Sequence, residues 1–305
     1  MTMAAVKLKS SVVTDAGLTN QSYAGWLREH GVRLFNGLGS EWELQKGALL
    51  PVATGPYFIQ GSNLGEANSL LKESGAWFLR FASDPCEEET EWWYTVCDRY
   101  DQRALSSKVR NQIKRGAREC SVERIDAEWL AKNGYHCYSA AYGRYKNARP
   151  SGIETFQRNL MRTVGGPFEY WGIFVGNNLA GYCQCIVEQR NVATNVIKFN
   201  PGYLKHYVSY ALTTSLIEHY VSIQGKVLSN GTRSVAHDTN IQDLLLKLGF
   251  RKQFCRLNAV YQPSLGIAAR AAFPFRKVIA ALPDCGVSHK LRAFLFQEEL
   301  RRRCR

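Results

Sequence analysis

His237 and Asp238 stand side by side, and that pairing is the sharpest chemical signal in the chain. An imidazole titrates near neutrality and can take up a proton. A carboxylate beside it can orient the ring or share that proton. The same residues also suit a structural role, as a loop histidine followed by an aspartate near the positive end of the next helix. Arg233 precedes them, and its guanidinium suits a two-pronged grip on phosphate or carboxylate, or a surface ion pair. Tyr203, Tyr207 and Tyr210 offer rings and hydroxyls for stacking and hydrogen bonding, or a packed stripe on a helix. Arg110, Lys114 and Arg118 recur every fourth residue, so they share one helical face. Val109 and Ile113 form the apolar stripe beside them, and no acid lies four residues from any of the three cations. Such a face is a cradle for phosphates or a polyanion, or a solvated surface over a packed one.

The elements that must position these residues are legible in the later half. Tyr170 to Val175 alternates as a strand does. Gly176-Asn177-Asn178 then supplies residues that tolerate a tight turn. Leu179–Glu188 is the returning strand and Val192–Ile197 the core of a third, broken by Asn200-Pro201-Gly202. Leu204–Ile223 has the pattern of one long helix, closed by Gln224-Gly225. Lys226–Ser229 follows as a short buried strand. Thr239 or Asn240 caps the next helix, with Asp243 in its first turn. Gly249 stops it, and Phe250–Tyr261 closes the sheet.

The earlier half is read in the same way. Tyr23–His30 is helical, Val32–Phe35 a short strand, and Leu64–Ser74 a helix capped by Asn63 and closed by Gly75. Ala76–Ala82 and Trp92–Cys97 are strands, with Trp92-Trp93 as core and edge packing or a stacking platform. Ser106 or Ser107 caps the basic helix. Ser288–Arg305 is amphipathic, suited to docking on the protein or lying on an anionic surface.

At 305 residues the chain can bury substantial cores, and 45% hydrophobic with 21% charged residues is an ordinary globular balance. No run of about 18 apolar residues occurs, which argues against a membrane span. The N-terminus lacks the apolar core of a secretory signal. Nine cysteines, an odd number with no CxxC, fit a reducing, cytoplasmic setting better than a disulfide framework. No metal-ligand quartet at familiar spacing is present, so no metal is expected. A net charge of +13 favours an anionic partner, whether nucleotide, phosphate-bearing carrier or RNA.

The order of elements from Glu169 to Gln262 resembles the second half of a GNAT-type N-acyltransferase. The basic helix, LSSKVRNQIKRGAR, is similar to the segment at the same place in the Fem family of peptidoglycan-bridge aminoacyltransferases, whose core is two GNAT-like halves in one chain. The run from Ser229 to Asn240, ending at Leu248-Gly249-Phe250-Arg251-Lys252, is similar to the strand–helix–GF segment of GNAT enzymes. The resemblance covers most of Val32 to Tyr261.

It implies an α/β (α+β) fold of two GNAT-like halves, each a mixed, mostly antiparallel sheet flanked by helices, with a C-terminal helical tail. The expected segments are 1–125, ending in the basic helix, 126–265 as the acyltransferase half, and a basic helical tail over 266–305. The implied activity is transfer of an acyl or aminoacyl group to an amine of an amino sugar, amino acid or peptide, from acyl-CoA or aminoacyl-tRNA, with tRNA as a possible partner. In a GNAT fold the donor sits between the two parallel strands. That points to Lys198, Tyr203 and Tyr207 on one side, and to Arg233 and Asn240, with His237 and Asp238 as the catalytic pair, on the other. Arg110, Lys114 and Arg118 are the phosphate-binding candidates. The sequence departs from CoA-using members in two places. One glycine, Gly202, stands in Asn200–Tyr207 where those enzymes carry a Gly-rich pyrophosphate loop. Leu245 or Leu246 stands where many carry a general-acid tyrosine. Fem-type enzymes lack that loop too and use aminoacyl-tRNA. The rival expectation is a non-catalytic GNAT-fold protein binding an anionic ligand or RNA.

Overall fold

The structure is a computed structural model describing residues 22–61, 63–143, 145, 148–235, 241–281 and 286–304. Its contacts divide the chain into two compact units. The first holds Val96–Asn230 and Asp243–Arg251, and the second Tyr23–Thr95, Gly231–Gln242 and Lys252–Arg305. The expected segments run successively along the chain, whereas this division is interleaved. The basic helix groups with the later strands, and the closing strand with the earlier ones.

The second unit opens with an antiparallel run of β1 (Leu34–Gly37), β2 (Ser40–Gln45) and β3 (Ala48–Pro51). β3 then lies parallel to β4 (Phe78–Ser83), with Ala48 opposite Phe78. The crossover between them carries the helix Leu64–Ser74. The Asn63 side chain accepts hydrogen bonds from the Gly65 and Glu66 N–H groups at its start, and Gly75 ends it at φ 68°. Both ends are therefore satisfied as the residue types require. Leu70 and Leu71 of this helix, Trp42, Leu49, Leu79 and Phe81 form the core on one face of the sheet. β5 (Trp92–Cys97) begins in this unit.

The first unit is a sheet packed on both faces. β6 (Ser121–Ile125), β7 (Phe168–Val175), β8 (Asn178–Val187) and β9 (Asn191–Phe199) pair antiparallel in order. β10 (Val227–Thr232) is parallel to β9. The middle of β7 and nearly all of β8 are buried, because layers cover each side. On one face Tyr170 and Tyr182 pack with Leu130, Phe156 and Leu160 from the helices between β6 and β7. On the other, Trp171 donates from its indole N–H to the Tyr220 hydroxyl at 2.9 Å, and Tyr220 donates to Glu169 at 2.5 Å. Cys183 and Cys185 lie on one strand face with sulfurs 3.7 Å apart, both buried. His219 packs edge-on against Trp171, with ring centroids 4.8 Å apart.

The long helix expected over Leu204–Ile223 is not continuous. Pro201–His206 is a 3-10 turn, Tyr207 is left-handed at φ 57°, Val208–Leu216 is α-helical, and Ile217–Ile223 is a π-helix. One reason is local and the other tertiary. The Asn200 side chain accepts from the Gly202 N–H and fixes the tight turn. The wider π turns accompany the buried placement of Tyr220 on Trp171 and Glu169.

β11 (Arg251–Tyr261) returns between β4 and β5, antiparallel to β4. The C-terminal helix Gly286–Arg303 then docks on this unit. Phe294 lies against Phe78 and Tyr261, and Gln297 accepts from Arg80 at 3.1 Å. Docking thus covers the apolar face that an anionic surface would need. Among the described residues, no helix is long and apolar enough to cross a membrane.

Candidate functional site

The site candidate begins where β9 and β10 part. Their register holds for Val227–Asn191, Leu228–Val192 and Ser229–Ala193. Beyond it, β9 runs on to Phe199 while pairing only with β8. The Thr194 hydroxyl donates to the Ser229 carbonyl at 3.2 Å, and the Asn230 amide donates to Thr194 at 2.7 Å. These bonds mark the last tie between the two strands. β9 also bulges here, since Gln184 faces Val196 and Cys185 faces Thr194. The intervening Asn195 donates to the Gln184 side chain at 2.7 Å, and Gln184 donates to the Tyr170 hydroxyl at 2.5 Å. A bulge re-aims the residues beyond it, and Lys198 is among them.

Lys198 sits over two rings, 4.3 Å from the Tyr142 centroid and 4.8 Å from that of Tyr145. The helix Tyr135–Tyr142 supplies the cage, with Tyr135, Tyr138 and Tyr142 spaced by three and four. Tyr138 accepts from the Ser151 N–H at 3.1 Å. Burial alone would raise the Tyr138 phenol. Bonding with Ser151 and Tyr142, and the Lys198 charge, instead hold it below the ordinary range. Tyr142 goes the other way. Burial and the neighbouring Tyr138 push it up to about 12. Tyr145 is exposed, so the cage opens to solvent. The tyrosines of this cage were not anticipated from the sequence, although their spacing on one helical face is a usable signal.

The other expected residues are placed as follows. Tyr207 lies under the Arg115 guanidinium, 4.7 Å from the ring centroid, and Arg115 donates to its hydroxyl at 3.2 Å. Tyr203 is beside His206, and His206 Nδ1 is 2.8 Å from a Glu119 carboxylate oxygen. That bond, with Arg115 and Arg118 nearby, holds Glu119 below the usual carboxylate range. Lys198 and Tyr207 therefore engage different partners. Arg233, in the second unit, pairs with Glu91 at 2.5 Å between the Trp93 and Phe296 rings, which is the ion-pair reading of this residue. Trp92 is core and Trp93 is packed, as expected. His237, Asp238 and Asn240 lie outside the described residues.

The basic helix Ser107–Glu119 is capped by Ser106, which accepts from the Val109 N–H. Arg110 turns back on its own chain, donating to the Arg103 and Leu105 carbonyls. Lys114 and Arg118 are exposed. Gly116 faces the next helix closely. A Cβ there would lie 2.9 Å from the Tyr207 carbonyl oxygen and 3.1 Å from the Ala211 Cβ. Among the described residues, no cluster of three or more metal-ligating side chains occurs.

The fold has counterparts among solved structures. The chain is similar to FemX, with a TM-score of 0.52 over 80% of this chain and 91% of that one, at 9% identity. It is similar to the C-terminal domain of a candidate lysylphosphatidylglycerol synthetase from Agrobacterium fabrum, with a TM-score of 0.52 over 83% and 90% of the two chains, at 10% identity. No family model and no curated protein sequence matches. The likeness is one of fold.

Proposed function

We propose that this protein is an N-acyltransferase that moves an aminoacyl group from aminoacyl-tRNA to the amine of an amino sugar, amino acid or peptide. The fold shared with FemX supports acyl transfer. The choice of donor is carried by the start of the helix Val208–Leu216. A CoA pyrophosphate needs free backbone N–H groups at a helix N-terminus and room to approach them. Here the approach is filled by protein. The Tyr207 carbonyl abuts Gly116, Arg115 covers the Tyr207 ring, and His206 holds the Glu119 carboxylate two residues ahead of the helix.

In the proposed step the acceptor nitrogen attacks the ester carbonyl carbon. A C–N bond forms, and the negative charge on the carbonyl oxygen is met by the Lys198 ammonium and the Tyr142 O–H, which stays protonated at neutral pH. The C–O bond to the ribose then breaks. The proton released by the nitrogen reaches the leaving oxygen through a base, for which His237 with Asp238 is the sequence's candidate.

The test is single-turnover incubation with tRNA carrying a labelled amino acid and a panel of amines, alongside melting scans with charged tRNA, uncharged tRNA and acyl-CoAs. A ligand that binds the folded state raises the melting temperature. Label on an amine, with stabilisation by charged tRNA only, is the expected result. Transfer from acyl-CoA would overturn the choice of donor. Binding of RNA without transfer from any donor would favour the non-catalytic rival.

A further inference from the structure

The apolar segment ahead of the C-terminal helix faces solvent. It comprises the helix Pro263–Ala272, the turn Phe273–Phe275 and the helix Arg276–Ala281. Its inner side is held in place. Ala269 is buried, Phe273 lies under the Arg302 guanidinium at 3.8 Å, and Arg276 Nε is 3.6 Å from Glu299. The outer side carries Ile267, Phe275 and Val278, at 68%, 62% and 66% exposure. Ala271 and Pro274, between them, are exposed too. Positions 267 and 271 lie one turn apart on the first helix, with 275 in the turn and 278 on the second helix. Arg270 and Lys277 rim it, both exposed, and the stretch from Pro263 to Ala281 contains no Asp or Glu.

Large apolar side chains on a soluble surface are usually scattered, and a patch of them rimmed by polar groups marks an interaction face. We propose that this face seats on the surface of an anionic lipid bilayer. Ile267, Phe275 and Val278 would enter the headgroup–acyl boundary, with Arg270 and Lys277 at the level of the lipid phosphates. The charge of the rim selects this occupant. A second copy docked about a two-fold axis would bring the same cations together, with no acid in the segment to neutralise them. The C-terminal helix cannot serve instead, because Phe294, Leu295 and Leu300 are covered by the protein. Nothing in this inference depends on the transfer site.

The experiment uses the full chain and sedimentation with vesicles of pure phosphatidylcholine or of phosphatidylcholine mixed with phosphatidylglycerol. The wild-type protein is expected to sediment with the anionic vesicles and far less with the neutral ones. The triple substitution Ile267→Ser, Phe275→Ser, Val278→Ser is expected to lower partitioning at least tenfold with an unchanged melting temperature. The pair Arg270→Glu, Lys277→Glu is expected to do the same. Phe275→Trp reports independently, through a blue shift of emission on anionic vesicles. Failure of the wild type to sediment with anionic vesicles would overturn the proposal. So would a folded triple variant that sediments as well as wild type. A wild-type dimer in sedimentation velocity that the triple substitution converts to monomer would also overturn it, in favour of a second copy.

Discussion

Tyr138 and Tyr142 lie one turn apart on one helix, with ring centroids 5.0 Å apart, yet their phenols shift in opposite directions. The bond between the two phenols divides them, and the Lys198 charge adds to the lowering at Tyr138 alone, but Lys198 is the residue whose removal is most informative. Lys198→Met and Tyr142→Phe are each expected to lower single-turnover transfer about 100-fold, the scale of losing one oxyanion donor. The melting temperature should hardly change at so open a site. Full transfer rates in both variants would remove the cage from the chemistry. A different residue governs stability in acid. Burial would push the Glu298 carboxyl up, but hydrogen bonds from Arg301 at 2.8 and 2.7 Å and from Arg302 at 2.7 Å hold it down, at about 2. A carboxyl depressed in the folded state contributes stability that is full above its unfolded pKa of about 4.3 and fades as pH falls towards its folded value. Glu298→Gln should therefore cost about 2–3 kcal/mol at neutral pH, the free-energy equivalent of that shift. Denaturant midpoints of variant and wild type should converge as pH falls from about 4.5 to about 2. A gap of constant size across that window would assign the loss to packing instead of charge.

The helix Val208–Leu216 owes its start to two residues that sequence periodicity cannot reveal. Tyr207 is an L-residue at positive φ, a conformation that residue type argues against. Gly116 lets the basic helix approach the Tyr207 carbonyl. Gly116→Val would add atoms where even a Cβ is 2.9 Å from that oxygen. The expected cost is about 1–3 kcal/mol, as for other overpacked contacts, read as a lower urea midpoint at unchanged slope. A variant as stable as wild type would mean that the two helices part freely. The same contrast separates what was legible from what was not. The alternation of Tyr170–Val175, the hairpin at Gly176–Asn178 and the capped helix Leu64–Ser74 follow from local rules, and the structure keeps them. The hairpin of β2 and β3 was missed although Trp42 and Leu44 alternate with Glu41, Glu43 and Gln45 as a strand does. The long helix was read through its break, since Leu204 and Tyr207 keep the helical period while Asn200 closes a tighter turn. The Lys198 cage is tertiary. It joins β9 to a helix more than fifty residues earlier, and only the Tyr135, Tyr138 and Tyr142 spacing hinted at it.

At the scale of the whole molecule the charge of +13 must be divided between cations that serve the fold and those that serve a partner. Arg110 is turned onto its own backbone, Arg233 is spent on Glu91, and Arg301 and Arg302 on Glu298. Lys114 and Arg118 are exposed on the basic helix, Arg118 with 75% of its side chain accessible. If the donor is a tRNA, each cation that neutralises a phosphate releases a counterion, so log K falls with log salt by roughly 0.7–0.9 per contact. Lys114→Ala with Arg118→Ala should therefore weaken charged-tRNA binding and flatten the salt slope by roughly 1.4–1.8, for the two phosphate contacts removed. Arg110→Ala should leave the slope nearly unchanged and lower the melting temperature instead, because its bonds are internal. Fluorescence titration at several salt concentrations separates these outcomes. Equal slopes for wild type and the double variant would mean that the positive charge acts as a diffuse field. The basic helix would then be a solvated face with Val109 and Ile113 packed beneath it.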